Sequence, residues 1–295
     1  MPRRSTYYGA TASFAFLLDL FPGAGAAYSM RKLRSAYSGG SIRVRRDSDN
    51  AEQDIGFVAN VLDTASLISF CTGANGYIVT GYDQSGNGRD LTQTTAIQQP
   101  KIYDSSTGLI TTNSLPAWFW GTSPSSGVYM EFPQFIADDD PRSFFIVNDQ
   151  FSSGSTGQDC LLSLNDQGAV GGRLGYRICK ETSKIVLRVN GSASFNYPAG
   201  IGSTDYTLLS NTYASGGGAQ DADFWLNGDS CQYSSGTTGV LRTNNNGTSF
   251  IGYYPPVSGG LYYTGTMQEI VIYDSDQSAN RTGIESNIND FYSIW

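Results

Sequence analysis

The 295-residue chain is long enough to bury one large core, and its Gly 35, Tyr 19 and Phe 15 beside only five glutamates exclude an acidic helical bundle and point to a turn-rich β protein. It has no histidine, which removes Ser-His-Asp and Cys-His catalysis, histidine zinc sites and histidine pH switching. Net charge is −8 but uneven, +5 over residues 1–50 and −13 over the rest, and an acidic body does not attract nucleic acid.

In chain order, Arg3-Arg4 followed by Ala12-Ser13-Phe14-Ala15-Phe16-Leu17-Leu18 has the look of an export signal. Asp19 breaks the apolar run well short of the roughly 20 residues a membrane helix needs, so the segment reads as a retained part of a soluble protein. Ala26 to Leu33, after Pro22-Gly23, is helix-tolerant and predicts a short helix ended by Gly39-Gly40. Ile42 and Val44 alternate with Arg43 and Arg45 and predict a strand with one wet face. A second short helix is predicted over Leu62 to Phe70, capped by Asp63 or Thr64, stopped by Gly73, and burying Leu67, Ile68 and Phe70.

Gly81-Tyr82-Asp83-Gln84-Ser85-Gly86-Asn87-Gly88-Arg89-Asp90 then forms a tight connection. Its glycines tolerate positive φ, and Asp83, Ser85 and Asn87 can bond backbone amides. Asp83, Ser85, Asn87 and Asp90 also space oxygen ligands like the start of a calcium loop, but no glutamate follows between Leu91 and Lys101. A backbone-bonded turn without metal is the expectation. After residue 115 the reading is almost wholly β. The candidate strands are 118–120, 129–132, 143–147, 184–189, 206–209, 222–226, 249–252 and 267–273, with Asn227-Gly228 as a two-residue hairpin. Ser278 is the expected N-cap of a closing helix with Ile284, Ile288 and Phe291 at helical spacing.

Cys71, Cys160, Cys179 and Cys231 are widely spaced with no Cys-x-x-Cys pair, and read as buried small residues of a chain made in a reducing compartment; no cofactor is expected. Of the glutamates in the β half before the closing helix, Glu131, Glu181 and Glu269, each is expected to be structural. Tyr253, Tyr254, Tyr262 and Tyr263 flank a Pro/Gly loop and could form a platform for sugar rings or for a neighbouring subunit. Arg31, Lys32, Arg34, Arg43, Arg45 and Arg46 make residues 1–50 the expected docking side toward an acidic partner.

The Tyr82-Asp83-Gln84-Ser85-Gly86-Asn87-Gly88 phrase resembles the arabinofuranosidase-B-like catalytic domain, as does the wider stretch 17–102. It also resembles laminin-G/concanavalin-A-like modules of bacteriophage virions. Arg142 to Val147, Asp223 to Gly228 and Gly265 to Asp274 resemble three strands of the same superfamily. These likenesses imply an all-β concanavalin-A-like (laminin-G-like) jelly-roll sandwich over residues 105–295. A small α+β segment, residues 1–104, packs against it, and a short C-terminal helix closes it. The family's acidic residue after an Ile-Gly strand has no counterpart in Ile251-Gly252-Tyr253-Tyr254-Pro255-Pro256, and its adjacent cysteine pair is missing. The expectation is therefore a non-enzymatic structural protein of a tailed-phage virion: capsid decoration, head fibre or tail-associated. It would be homo-oligomeric, with other virion proteins and host surface glycans as partners, and neither nucleic acid nor membrane insertion. A glycoside hydrolase of the arabinofuranosidase class and a free carbohydrate-binding module are the alternatives.

Overall fold

A computed structural model describes residues 15–123, 127–137, 139–150, 159–164, 176–181, 183–188, 192–202, 205–236, 247–254 and 261–295. The chain is mostly β, built on one large antiparallel sheet that bends round a shared core. One arm runs Ala24–Ser29, Gly265–Tyr273, Arg142–Gln150, Tyr206–Tyr213 and Asp223–Leu226. The other runs Met130–Pro133, Thr248–Ile251, Asp159–Leu164, Tyr176–Lys180, Lys184–Arg188, Ser192–Asn196 and Gln232–Gly236. Alternation turns Phe144, Ile146 and Leu209 of the first arm toward Leu162, Tyr176 and Ile178 of the second, and all six are fully buried. The expected strands after residue 115 are present, and Asn227 and Gly228 take positive φ (55° and 84°) at the tip of their hairpin, as a two-residue turn requires.

Strand pairing runs across the expected boundary at residue 104. Lys101–Asp104 bonds both Gly76–Gly81 and Trp118–Phe119, and Trp118–Phe119 continues onto Gly265–Tyr273. The helix expected over 26–33 is instead the strand Ala24–Ser29, buried along its whole length. Its small residues let a strand lie covered on both faces, and pairing with Gly265–Tyr273 outweighs a weak local helix preference. The Ile42–Arg46 strand forms as expected, with Ile42 and Val44 buried, but its other face is not wholly wet, since Arg45 is buried too.

Three helices are described. α1, Leu17–Leu20, is a single turn whose Leu17 and Leu18 pack with α3 residues; the preceding residues 1–14, with Arg3 and Arg4, lie outside the described residues. α2, Thr64–Cys71, is capped by Asp63, which accepts from the Ser66 amide at 3.0 Å, and Leu67 is buried, but Ile68 points to solvent. α3, Arg281–Tyr292, buries Ile284 and Ile288 as expected. Ser278 does not cap it: its hydroxyl donates to Asp276 instead, and Asn280 holds the cap position. Among the described residues no helix is long and apolar enough to cross a membrane.

The Asp83 turn ties the N-terminal strands together. The Asp83 carboxylate accepts from the amides of Ala27 (2.9 Å), Ser85 (2.9 Å) and Arg89 (3.0 Å) and from the Ser85 hydroxyl (2.7 Å). Asp90 accepts the Asp83 amide at 2.8 Å, and Asn87 donates to the carbonyls of Ala24 and Gly25. These oxygens are committed to the backbone. Asp83→Ala should destabilise the fold by on the order of 1–3 kcal/mol or somewhat more, because several donors lose one shared acceptor. Urea denaturation measures it. Calcium should leave the wild-type midpoint unchanged, and a calcium-dependent rise that disappears in the variant would reverse this reading.

Candidate active site

The strand ends near residues 150, 159, 180, 206 and 265 meet at one end of the sheet and bring polar side chains into the space between the arms. Lys180 follows Tyr176 and Ile178 in the inward register, so the position that would carry an apolar residue carries an ammonium. It is fully buried and donates across the gap to Asn148 (3.1 Å) and Thr207 (3.4 Å), which sit directly opposite each other on the first arm. Asp159, directly opposite Lys180 on its own arm, accepts from Gln150 at 2.5 Å and Thr264 at 3.0 Å. Desolvation pushes Lys180 down to about 8, against the opposing pull of Asp149, Asp205 and Asp159.

Asp149 and Asp205 are near enough to act on Lys180 electrostatically, but Asp149 follows the inward Asn148 and so turns, with its ladder partner Tyr206, to the other face of the strand. Asp149 is half-buried and faces Tyr206 across the ladder, next in sequence to exposed Asp205. Burial raises the Asp149 carboxyl; Lys180 opposes the rise and Asp205 adds to it. Asp205 also accepts the Gly202 amide at 2.7 Å. Two carboxyls at this end thus differ in environment, Asp149 partly buried and Asp205 exposed. Gly265 fixes the spacing here. Its φ is 134°, and a Cβ would fall 2.1 Å from the Asp149 carbonyl oxygen. Gly265→Ala should therefore separate the two strand ends and lower the melting temperature, as a thermal scan would report.

The residues singled out from sequence lie elsewhere. Tyr253 and Tyr262 are half-buried and stacked on the outer face of the second arm. Tyr254 is buried beneath Arg177, and Tyr263 is fully buried with its hydroxyl donating to Thr266, so neither of these two presents a face to a sugar. Residues 255–260, the Pro/Gly loop, lie outside the described residues. Glu269 is buried in a two-pronged pair with Arg31 (2.7 and 2.8 Å), Glu181 pairs with Lys184, and Glu131 lies beside Tyr129.

The six docking cations are for the most part engaged within the chain. Arg31 is internal, which corrects its assignment as a docking residue: a guanidinium spent on a buried carboxylate has no charge to offer a partner. Arg45 is also buried, bonded to Gln99 and Asn50. Arg43 pairs with Glu52, Arg46 with Asp49, Arg34 bonds the Ser85 carbonyl, and Lys32 lies over the Phe16 ring. Asp149, Asp159, Lys180 and Asp205 were missed because each sits at a strand end flanked by ordinary loop sequence. The legible signal was Lys180, a charge in phase with two apolar residues.

Comparison with known proteins bears on what this end does. The catalytic domain of alpha-L-arabinofuranosidase B matches residues 21–131. Probable alpha-L-arabinofuranosidase B of Aspergillus fumigatus is 45% identical over 65 residues, 21% of this chain and 13% of that protein. The Aspergillus oryzae alpha-L-arabinofuranosidase B is 43% identical over a stretch of the same length. A GH54 a-l-arabinofuranosidase soaked with a cyclic sulfate inhibitor superposes with a TM-score of 0.56 at 18% identity, over 92% of this chain and 64% of that one. An arabinofuranosidase complexed with arabinofuranosyl-alpha-1,2-xylobiose gives 0.55 at 19%. The chain thus aligns with a small part of its curated relatives and under two thirds of the structural ones. At these identities the structural likeness shows a shared fold.

The sequence match overturns the expectation of a non-enzymatic virion protein, and capsid decoration and tail go with it. Residues 21–131 match a catalytic domain. The error came from treating one missing acid and one missing cysteine pair as decisive. Carboxylates from other strands share the same end of the sheet.

Proposed function

We propose that the chain is a glycoside hydrolase of the arabinofuranosidase class, acting on α-L-arabinofuranosides at the end of the sheet that carries Asp149 and Asp205. The observation that carries the reading is the match of residues 21–131 to the arabinofuranosidase B catalytic domain, supported by the fold likeness over 92% of the chain. We read the fold more finely as a concanavalin-A-like jelly roll, on the strength of two antiparallel arms sharing one core.

In this reading Asp149, whose carboxyl is raised by its partial burial, gives its proton to the leaving-group oxygen. Asp205, open to water, is the partner that attacks the anomeric carbon or activates the water that does. Lys180, bonded to Asn148 and Thr207, and Asp159, bonded to Gln150, tie the strand ends together. The test is incubation of the purified chain with 4-nitrophenyl α-L-arabinofuranoside and with arabinan, following nitrophenolate and free arabinose. Turnover that depends on Asp149 or Asp205 supports the assignment. The absence of any turnover on either substrate would overturn it.

A further inference from the structure

Cys160 and Cys179 stand directly opposite each other on adjacent antiparallel strands, Asp159–Leu164 and Tyr176–Lys180. Cys179 follows Ile178, which turns into the core, so Cys179 points to the outer face. Cys160 joins it there because the ladder slips between Cys160 and Leu162. The extra residue, Leu161, enters the core beside Leu162, and this bulge reverses the alternation for the residues before it. The two cysteines and Tyr254 form a small buried cluster of their own, with Leu261 packed against it. Cys71 and Cys231 belong to the main core instead.

Directly opposed residues of an antiparallel pair have Cα atoms about 4.5–5.5 Å apart, inside the range of roughly 4.4–6.8 Å that a disulfide bridges. Both side chains are fully enclosed. Burial raises the Cys160 thiol well above its ordinary value, and its hydrogen bonding with Cys179 adds to the rise. The folded pair therefore holds little thiolate, and no reagent meets the sulfurs from outside. A bond between them has to form while the two strands are open.

We propose that Cys160 and Cys179 form a disulfide when the chain folds under oxidising conditions, fastening the two strands beside the Asp159–Lys180 rung. Two exchanges make the bond. One cysteine thiolate attacks a sulfur of a small disulfide such as oxidised glutathione, forming a mixed disulfide and releasing one glutathione thiolate. The other cysteine's thiolate then attacks the first cysteine's sulfur and releases the second glutathione thiolate. Two cysteine thiols are oxidised, their two protons pass to the released thiolates, and one oxidised glutathione becomes two reduced ones. The bridged positions are nineteen residues apart, so the bond stabilises chiefly by restricting the unfolded chain. It lies one residue from the directly opposed Asp159 and Lys180, which reach across to Gln150 and Asn148. The inference does not require the hydrolytic reading, because the bond is read by mass.

Trypsin separates the two positions, since Arg177 and Lys180 leave Cys179 in Ile178-Cys179-Lys180 and Arg173 leaves Cys160 in another peptide. The experiment reduces and unfolds the full chain, refolds it in a buffer of reduced and oxidised glutathione, alkylates the remaining thiols and maps the peptides without reductant. The expected product links Cys160 to Cys179 and carries alkylated Cys71 and Cys231. It should melt at least about 5 °C above the same chain reduced, and Cys179→Ala should remove the difference. Folded wild-type chain held with oxidised glutathione in urea just below its midpoint should give the same link, so the test does not depend on refolding yield or on the variant. Four alkylated cysteines in both preparations, or a dominant link through Cys71 or Cys231, overturns the proposal. Equal melting temperatures for the linked and reduced chains overturn the claim that the bond fastens the strands.

Discussion

Replacing Asp149 by asparagine should lower kcat on arabinan by about 10²–10⁴-fold, the range for removal of a positioned general acid. The loss should be much smaller on 4-nitrophenyl α-L-arabinofuranoside, because nitrophenolate leaves without a proton. That split separates a proton donor from a residue that merely supports the strand ends, which would affect both substrates alike. The pH dependence has a definite sign. Burial raises the Asp149 carboxyl, so the native state holds this proton more tightly than the unfolded chain. The stabilisation is fully present below the unfolded carboxylate range and is lost as pH rises through the raised native value. Asp149→Asn should therefore be no less stable than wild type at pH 7 while losing activity on arabinan. Lys180 has the opposite sense. Its native value of about 8 lies below the ordinary 10.5, so its contribution to stability should improve as pH rises from about 8 toward the unfolded value. Equal losses on both substrates, or a variant that melts well below wild type, would remove Asp149 from the role of acid.

Glu269→Ala should cost about 3–5 kcal/mol of unfolding free energy, the range for breaking a buried ion pair by removing one member. Glu269 is fully enclosed, accepts two guanidinium bonds from Arg31 and one from Ser29 at 2.7 Å, and lies 3.2 Å from the Tyr292 hydroxyl of α3. The group joins the Ala24–Ser29 strand, the Gly265–Tyr273 strand and the closing helix at one point. Deleting the acid leaves a buried cation. Arg31→Met with Glu269→Leu should recover much of the loss, since hydrophobic replacement of both partners removes the desolvation cost as well as the attraction. Guanidinium denaturation of the two single variants and the double variant measures the coupling. A single variant within about 1 kcal/mol of wild type would show that the pair contributes little to stability.

Part of the fold was legible because its cues are local. Ile42 and Val44 alternate with arginines, Asn227-Gly228 demands positive φ at both turn positions, and Asp63 offers its carboxylate to the first turn of α2. Each of these acts within a few residues, and each has the predicted form. Two errors in secondary structure have different causes. Ala24–Ser29 has helix-tolerant residues but becomes a strand because a partner distant in sequence outbids a weak local preference, whereas Ser278 is a good cap residue whose hydroxyl is taken by Asp276, two residues before it.

The site was less legible. Tyr253 and Tyr262 stay accessible while Tyr254 and Tyr263, identical in type and adjacent in sequence, are buried; a strand's period of two separates the members of each pair, and sequence does not give the starting face. The arginines of residues 1–50 read as a free positive surface. Their acids arrive both from nearby residues such as Asp49 and Glu52 and from Glu269, more than two hundred positions away.

By itself, the sequence determined an all-β architecture, the absence of histidine chemistry, the committed Asp83 turn and a likeness to arabinofuranosidase-type catalytic domains. Only the tertiary structure decided which carboxylates gather at one end of the sheet. Asp149, Asp159 and Asp205 lie on different strands or loops, and their proximity to Lys180 depends on the sheet bending until two arms share a core. Packing sets that distance and with it the desolvation that shifts Asp149 and Lys180, and neither is encoded by neighbours in the chain.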